Sequence, residues 1–464
     1  MSQPLTMRKK AEVFEHDLFN RFNLEGQILC KLRNATPEAP FISYNMPDDA
    51  YMTGMMAAVF SFKYAVTKDP ADKETVSLLL RGMHKLCHIT GKKGLLARAW
   101  WPLDNPNFYA AEDRWHVNED LNLRWNGDVS VDQMDGMFFG FYYAYKYAAN
   151  EAEKAMIAAD VCELLDTILE NDYRILDQNG NMTTWGNYRV KDNIENDHLH
   201  GFLLLQHLKI AEFVTDDPKY TELYRKTAID ENMAAYSVTT WLPVPPHFSN
   251  HSDNVMHIME RLPLLEMEEE PALKALYLQG LRTFASGYNG EDIVLPNGNT
   301  PYEFMERLAA AHMTPEQLQL ATLFVRDFWE KDTIYHGVRV MGTPIYNFVF
   351  RKYLNDNEEG VPVKAKDTLR YFPLDMKWNS DTIQKYEEKF GFTFDPTPQT
   401  PELPEEMPAP IDRRLKDWSA FVQNPYRARC DEGEKPDGVM EYNGHDYLFG
   451  YWLGRLYGFI GEDE

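Results

Sequence analysis

From about residue 11 to about residue 355 the chain repeats one pattern: apolar residues spaced three and four apart, separated by polar faces. That period puts apolar side chains on one side of an α-helix. Twelve segments carry it: 11–22, 50–66, 73–90, 131–148, 151–170, 194–214, 218–235, 253–267, 271–287, 301–311, 315–329 and 343–354. Between them stand turn sequences such as KDPAD at 68–72, TDDPK at 215–219 and LPNGN at 295–299. The segments also alternate in character. Met137–Tyr147 is apolar or aromatic nearly all round, as an inner helix must be, whereas Glu151–Glu170 carries charge on one face and reads as an outer one. Twelve helices in antiparallel succession make six hairpins, so the expected fold is all-α, an (α/α)6 toroid over residues 1–355. Strands are expected only as short runs, Tyr173–Asp177 and Gly337–Val340.

At about residue 356 the pattern stops, and 356–464 is expected to form a C-terminal extension. Asp395–Pro410 holds six prolines and few core residues, the composition of an extended surface segment. Tyr442–Ile460 is strongly apolar again and predicts a closing helix that packs back on the ring.

The net charge of −25 argues against a nucleic-acid partner, which needs clustered Lys and Arg, and against an anionic membrane surface. No apolar run follows the basic residues near the N-terminus and no stretch reaches membrane-spanning length, so a cytoplasmic location is the expectation. Cys30, Cys87, Cys162 and Cys430 lie far apart, without the spacing of a zinc site or a disulfide framework. The aromatic content of 13% suits a large core and equally a cleft that stacks sugar rings.

Candidate chemistry is densest in Arg124–Gly140, RWNGDVSVDQMDGMFFG. Asp128 or Ser130 fits a helix N-cap, and Asp128, Asp132 and Asp135 then share one helical face. Like charges so placed repel, and burial against the aromatic run beside them raises a carboxyl pKa, as a general acid requires. One capping and two solvated aspartates would leave the same letters. Asp48 and Asp49 in NMPDDAYMTG form a second acidic pair at a helix entrance, where capping alone accounts for one of them. Arg98 precedes Trp100 and Trp101 in GLLARAWW, and Arg98 with Trp101 could line a cleft rim. In NMTTWGNYR, read as a loop, Trp185, Asn187, Tyr188 and Arg189 are of the types that stack on and hydrogen-bond to sugars.

His198 and His200 stand at i, i+2, which on a helix do not share a face, so no metal and no cofactor is expected. In SNHSDNVMHIMER, His251 and Asp253 cluster at a helix start with Asn250 and Asn254. Asn, His and Tyr are the side chains of a β-eliminating polysaccharide lyase, although an Asx cap and a helix histidine explain them too. P-loop, nucleophile-elbow, dinucleotide and zincin motifs are absent.

The stretch VDQMDGMFFGFYYAYKYAAN resembles the aspartate-bearing helix of the unsaturated glucuronyl and rhamnogalacturonyl hydrolases, members of the six-hairpin glycosidase superfamily of (α/α)6 toroids. The resemblance implies Asp135 as acid/base, with Asp132 as the other candidate, and places Asp48 or Asp49 like a second acidic position. ITGKKGLLAR, GDVSVDQ, MTTWGNY, NHSDN and YWLGR extend it, resembling uncharacterised toroid proteins over roughly residues 40–460. The function expected is therefore a glycoside hydrolase of polysaccharide degradation, acting on an oligosaccharide by aspartate acid/base chemistry. A uronate-specific lyase with His251 or Tyr188 as base, and a non-catalytic glycan-binding toroid, are the alternatives.

Overall fold

Proline and short polar side chains set where the helices begin. In a computed structural model that describes residues 7–33, 41–108, 114–189, 197–231, 233–234, 251–277, 440–458 and 461–462, the N-terminal helix is α1 (Met7–Arg21). Then α2 (Asp49–Thr67) turns through left-handed Lys68 into α3 (Pro70–His88), where Pro70 occupies the first position and Asp69 accepts from Ala71 N–H at 2.9 Å. A second hairpin joins α4 (Val131–Tyr147) to α5 (Glu151–Glu170) through a reciprocal Asn150–Glu153 capping box. A third joins α6 (Asp197–Thr215) to α7 (Pro218–Arg225), capped by Asp217 and continued by one π turn, Lys226–Asp230. Next come α8 (His251–Met267), a helical segment at 271–277, and α9 (His445–Leu456). The helices expected at 301–311, 315–329 and 343–354, the strand at Gly337–Val340 and the proline-rich segment lie outside the described residues.

The described part is mostly helical, in two layers. Helices α9, α2, α4 and α6 pack side by side in that order and α8 packs on both α6 and α4, while α3 and α5 pack on each other and α7 on α6 outside them. Burial follows this division. On α2 every residue from Asp49 to Phe62 is buried, and on α4 every residue from Gln133 to Ala144, whereas α5 buries only one face, through Ile157, Asp160, Val161, Leu164, Leu165 and Ile168. Gly54, Gly136 and Gly140 permit the tightest contact, since a Cβ at any of them would strike the opposing backbone of the α2–α4 pair.

Strands are more numerous than the pattern suggested. The described residues contain β1 (Asn23–Leu24), β2 (Gln27–Ile28), β3 (Lys31–Arg33), β4 (Ser43–Asn45), β5 (Ala99–Pro102), β6 (Trp115–Asn118), β7 (Leu123–Asn126), β8 (Arg174–Leu176), β9 (Met182–Asn187) and β10 (Met440–Tyr442). They are too short for a period of two to stand out in the sequence. Order β5-β7-β6 forms an antiparallel sheet with Ala99 opposite Asn126 and Trp100 opposite Trp125. The segment read as a loop at NMTTWGNYR is largely strand β9, paired with β8.

The C-terminal residues return to the N-terminal ones. Strand β10 pairs with β3, Asn443 donates to Leu29 O at 3.0 Å, and Trp452 on α9 donates to Glu15 at 2.7 Å. Among the described residues no helix is long and apolar enough to cross a membrane.

Candidate functional site

Because the three glycines let α2 and α4 touch, their N-terminal ends lie side by side, and Arg98, just before β5, reaches both. Its Nε donates to Pro47 O at 2.6 Å and Nη2 to Asp48 Oδ1 at 3.0 Å, while Nη1 reaches Asp128 O at 2.8 Å and Ser130 Oγ at 3.2 Å. Its backbone is pinned as well, accepting from Ala50 N and donating to Asn126 O. A planar, always-charged fork suits this multipoint role. Arg98 is thus a buried clamp between two helix starts, and the cleft-rim position expected for it is corrected.

Ser130, not Asp128, occupies the N-cap position of α4, and Gln133 Oε1 accepts from Ser130 N at 3.0 Å and lies 2.6 Å from its hydroxyl. Gln133 Nε2 donates to Asp48 Oδ1 at 3.0 Å, so Asp48 and the start of α4 belong to one network. Asp132 joins it through a short hydrogen bond with the Ser130 hydroxyl. Protein surrounds the Asp132 carboxyl, yet the residue keeps some exposed surface. Burial raises its pKa and the charge of Asp48 adds to that, against the opposing pull of Arg98. The network accommodates both protonation states. An ionised Asp132 accepts from Ser130 O–H, whereas a protonated one donates to Ser130, whose hydroxyl proton then turns to Gln133 Oε1.

Asp135 lies one turn deeper, with no exposed surface. Its Oδ1 accepts from Gln206 Nε2 at 3.0 Å, while its Oδ2 is buried with no hydrogen-bond partner among the described residues. Burial, reinforced by the charge of Asp132, holds its pKa well above the ordinary value and so favours the neutral acid. Gln206 Oε1 lies 2.6 Å from His207 Nδ1, and His207 Nε2 lies 2.9 Å from Tyr188 Oη. Burial lowers the His207 pKa to about 3 and raises that of Tyr188, so both are neutral. One tautomer satisfies the chain: His207 Nδ1–H donates to Gln206, and Tyr188 O–H donates to Nε2. The ring of His207 stacks on Phe138, with centroids 4.0 Å apart.

Other expected site residues are held elsewhere. Asp49 is buried, its Oδ1 accepting from Cys30 N at 2.7 Å, and burial raises its pKa well above the ordinary value. It faces the β2–β3 segment and is not a carboxylate set across a cleft. Asp128 sits in the left-handed region at φ 51°, a conformation aspartate tolerates better than most residues. Its side chain accepts from Thr184 N at 2.7 Å and pairs with Arg114 at 3.3 Å, which ties the β8–β9 hairpin to the start of α4.

Trp101 is buried and donates to Asn105 O at 3.1 Å, a core residue where a cleft lining was expected. Trp185 is 57% exposed on β9. Asp135, with no exposed surface, lines no open cavity with it. Asn187 O accepts from the buried His200, whose pKa burial lowers to about 4. Tyr188 is buried, not displayed on a loop. The side chains of His198, His251 and Asp253 lie outside the described residues.

Sequence reasoning passed over Gln133, Gln206 and His207. A signal was present for the last two, since QH interrupts the apolar run LLLQHLKI, and polar groups in such a run need partners. It also passed over His84 and His88, whose i, i+4 spacing in HKLCH is the one a helical metal site uses. Among the described residues, their ring nitrogens and the Asp160 carboxylate come together within 4.8 Å of one another. Compared with known proteins, the chain matches no family model, no curated protein and no solved structure.

Proposed function

We propose that the chain is a carbohydrate-active enzyme, a toroid of helical hairpins that hydrolyses glycosidic bonds in an oligosaccharide with Asp132 as general acid. The observation that carries this reading is Asp132 itself, a residue that keeps some exposed surface and whose carboxyl has raised proton affinity, beside a second carboxylate, Asp48. A pair of carboxyl groups, one serving as acid, is what glycoside hydrolysis uses. The layering of α9, α2, α4, α6 and α8 inside α3, α5 and α7 supports the toroid.

In this scheme protonated Asp132 gives its proton to the leaving oxygen, and Ser130 and Gln133 reorganise around the new carboxylate. Arg98 and Gln133 both bind Asp48 Oδ1, which leaves Oδ2 to accept a proton from water or to attack the sugar carbon. Product stereochemistry distinguishes those two routes. Asp135 stands behind Asp132 as a positioning residue, since it has no surface with which to touch a sugar. The lyase reading gains less from the geometry, because Tyr188 is buried and bonded to His207.

The test is a glycan panel followed simultaneously by new reducing ends and by the ultraviolet absorbance of unsaturated uronides. Reducing ends without absorbance are expected, whereas both rising together would make the protein a lyase. Asp132→Asn should lower turnover by roughly 10²–10⁴-fold at an unchanged melting temperature. Asp48→Asn removes a charge that raises the Asp132 pKa, so any residual activity should lose its alkaline limb at lower pH. Wild-type turnover in Asp132→Asn would end this assignment, and no turnover on any glycan would favour a binding toroid.

A further inference from the structure

We propose that His84, His88 and Asp160 form a binding site for a zinc-type divalent ion on the outer face of the α3–α5 pair. The two histidines are one helical turn apart on α3, with ring centroids 4.4 Å apart and side chains 46% and 39% exposed. Asp160 approaches from α5 with a side chain only 1% exposed. His84 Nδ1 lies 2.8 Å from Asp160 Oδ2, and His88 Nε2 lies 2.8 Å from Asp160 Oδ1. Glu163, one turn further along α5, brings Oε1 to 3.9 Å from His88 Nδ1 and also accepts from Gly94 N at 2.9 Å.

Three features favour a metal over a hydrogen-bonded cluster alone. Two neutral imidazoles and one carboxylate form the donor set of zinc sites, whereas calcium and magnesium prefer oxygen alone. Ligand atoms around a tetrahedral zinc stand roughly 3.3 Å apart, given bond lengths of about 2.0–2.1 Å, so each histidine nitrogen need separate from its Asp160 oxygen, now 2.8 Å away, only by tenths of an ångström. Rotamer shifts of the two exposed histidines supply that movement, while buried Asp160 stays as the anchor. Exposure of the rings also leaves the outer side open for water as a fourth ligand. An ion held there would tie together the outer helices of two successive hairpins, and it would bind the folded chain in preference to the unfolded one.

The experiment titrates the full-length chain, stripped with chelator, with zinc chloride and separately with cobalt(II). One ion per chain, a raised melting temperature and a cobalt spectrum of nitrogen and oxygen ligands without a thiolate charge-transfer band are expected. His84→Ala and His88→Ala should each weaken binding by more than the roughly 10–100-fold that losing an outer-shell partner costs, with the metal-free melting temperature preserved. On the wild-type chain, zinc should also protect both histidines from imidazole acylation, a readout that does not depend on how a variant folds. Absence of stoichiometric binding would overturn the proposal. So would binding that survives the double histidine variant, or binding lost instead in Cys162→Ser on the same helix.

Discussion

At the scale of single residues the chain from Asp135 through Gln206 and His207 to Tyr188 shows how burial decides ionisation. Each member is enclosed, and the cost of burying charge favours the neutral forms of Asp135, His207 and Tyr188. A carboxyl whose folded pKa stands above the ordinary 3.8 binds protons more tightly in the folded chain, so its contribution falls as pH rises above that value. The loss accumulates at up to about 1.4 kcal/mol per pH unit until the folded pKa is reached. Asn resembles the neutral acid in shape and cannot ionise. Asp135→Asn should therefore gain stability relative to the wild type as pH is raised from about 4 to 8, measured by urea unfolding across that range. A difference that stays constant with pH would show that Asp135 is already ionised when folded. The raised affinity of Asp132 and Asp135 was legible in an acidic face set beside MFFGFYY. Which of the two keeps contact with solvent was not, because that depends on what α6 and the Arg98 segment bring against α4.

At the scale of elements, the pairing of α2 with α4 rests on small residues. Gly136 and Gly140 are one turn apart on α4 and face Tyr51 and Gly54 of α2, and the neighbouring atoms are backbone that cannot swing away. Gly136→Ala should therefore destabilise by about 1–3 kcal/mol through overpacking, although alanine is the better helix former. Because the same contact aligns Asp48 with Ser130 and Gln133, the variant should also disturb the candidate site. Thermal unfolding measures the first effect, and a melting temperature at or above wild type would mean that the helices separate without penalty. Hairpin turns marked by Asp69–Pro70 and Asp217–Pro218 were readable because capping is local chemistry. The sheet β5-β7-β6 was not, because each strand is only four residues long and gains its partners from distant segments.

At the scale of the whole molecule, the two ends of the chain hold each other. Leu448, Phe449, Tyr451, Trp452 and Leu453 of α9 are buried, and β10 extends the β3–β4 sheet. Each such side chain contributes roughly 1.5–3 kcal/mol by burial, so the group rivals the roughly 5–15 kcal/mol that stabilises a typical folded domain. Deleting residues 440–464 should abolish cooperative unfolding or lower the melting temperature sharply, with the bared faces of α1 and α2 taking up a hydrophobic dye. An unchanged melting curve would make the C-terminal helix an accessory to a fold that stands without it.

For the described helices, the sequence by itself determined where they run, their alternation between enclosed and one-sided, and the return of an apolar C-terminal helix. These follow from periodicity and local hydrogen bonding, which need no knowledge of what lies across the molecule. Only the tertiary structure decided that Asp49 turns toward Cys30, that Asp128 ties down the β8–β9 hairpin, that Asp132 keeps an open edge and that Asp135 does not. It alone brought Asp160 to His84 and His88. The physical reason is common to all of them: the state of a carboxyl is set by the donors, charges and solvent around it, and the hydrogen-bond partners of Asp49, Asp135 and Asp160 stand 19, 71 and 76 positions away along the chain.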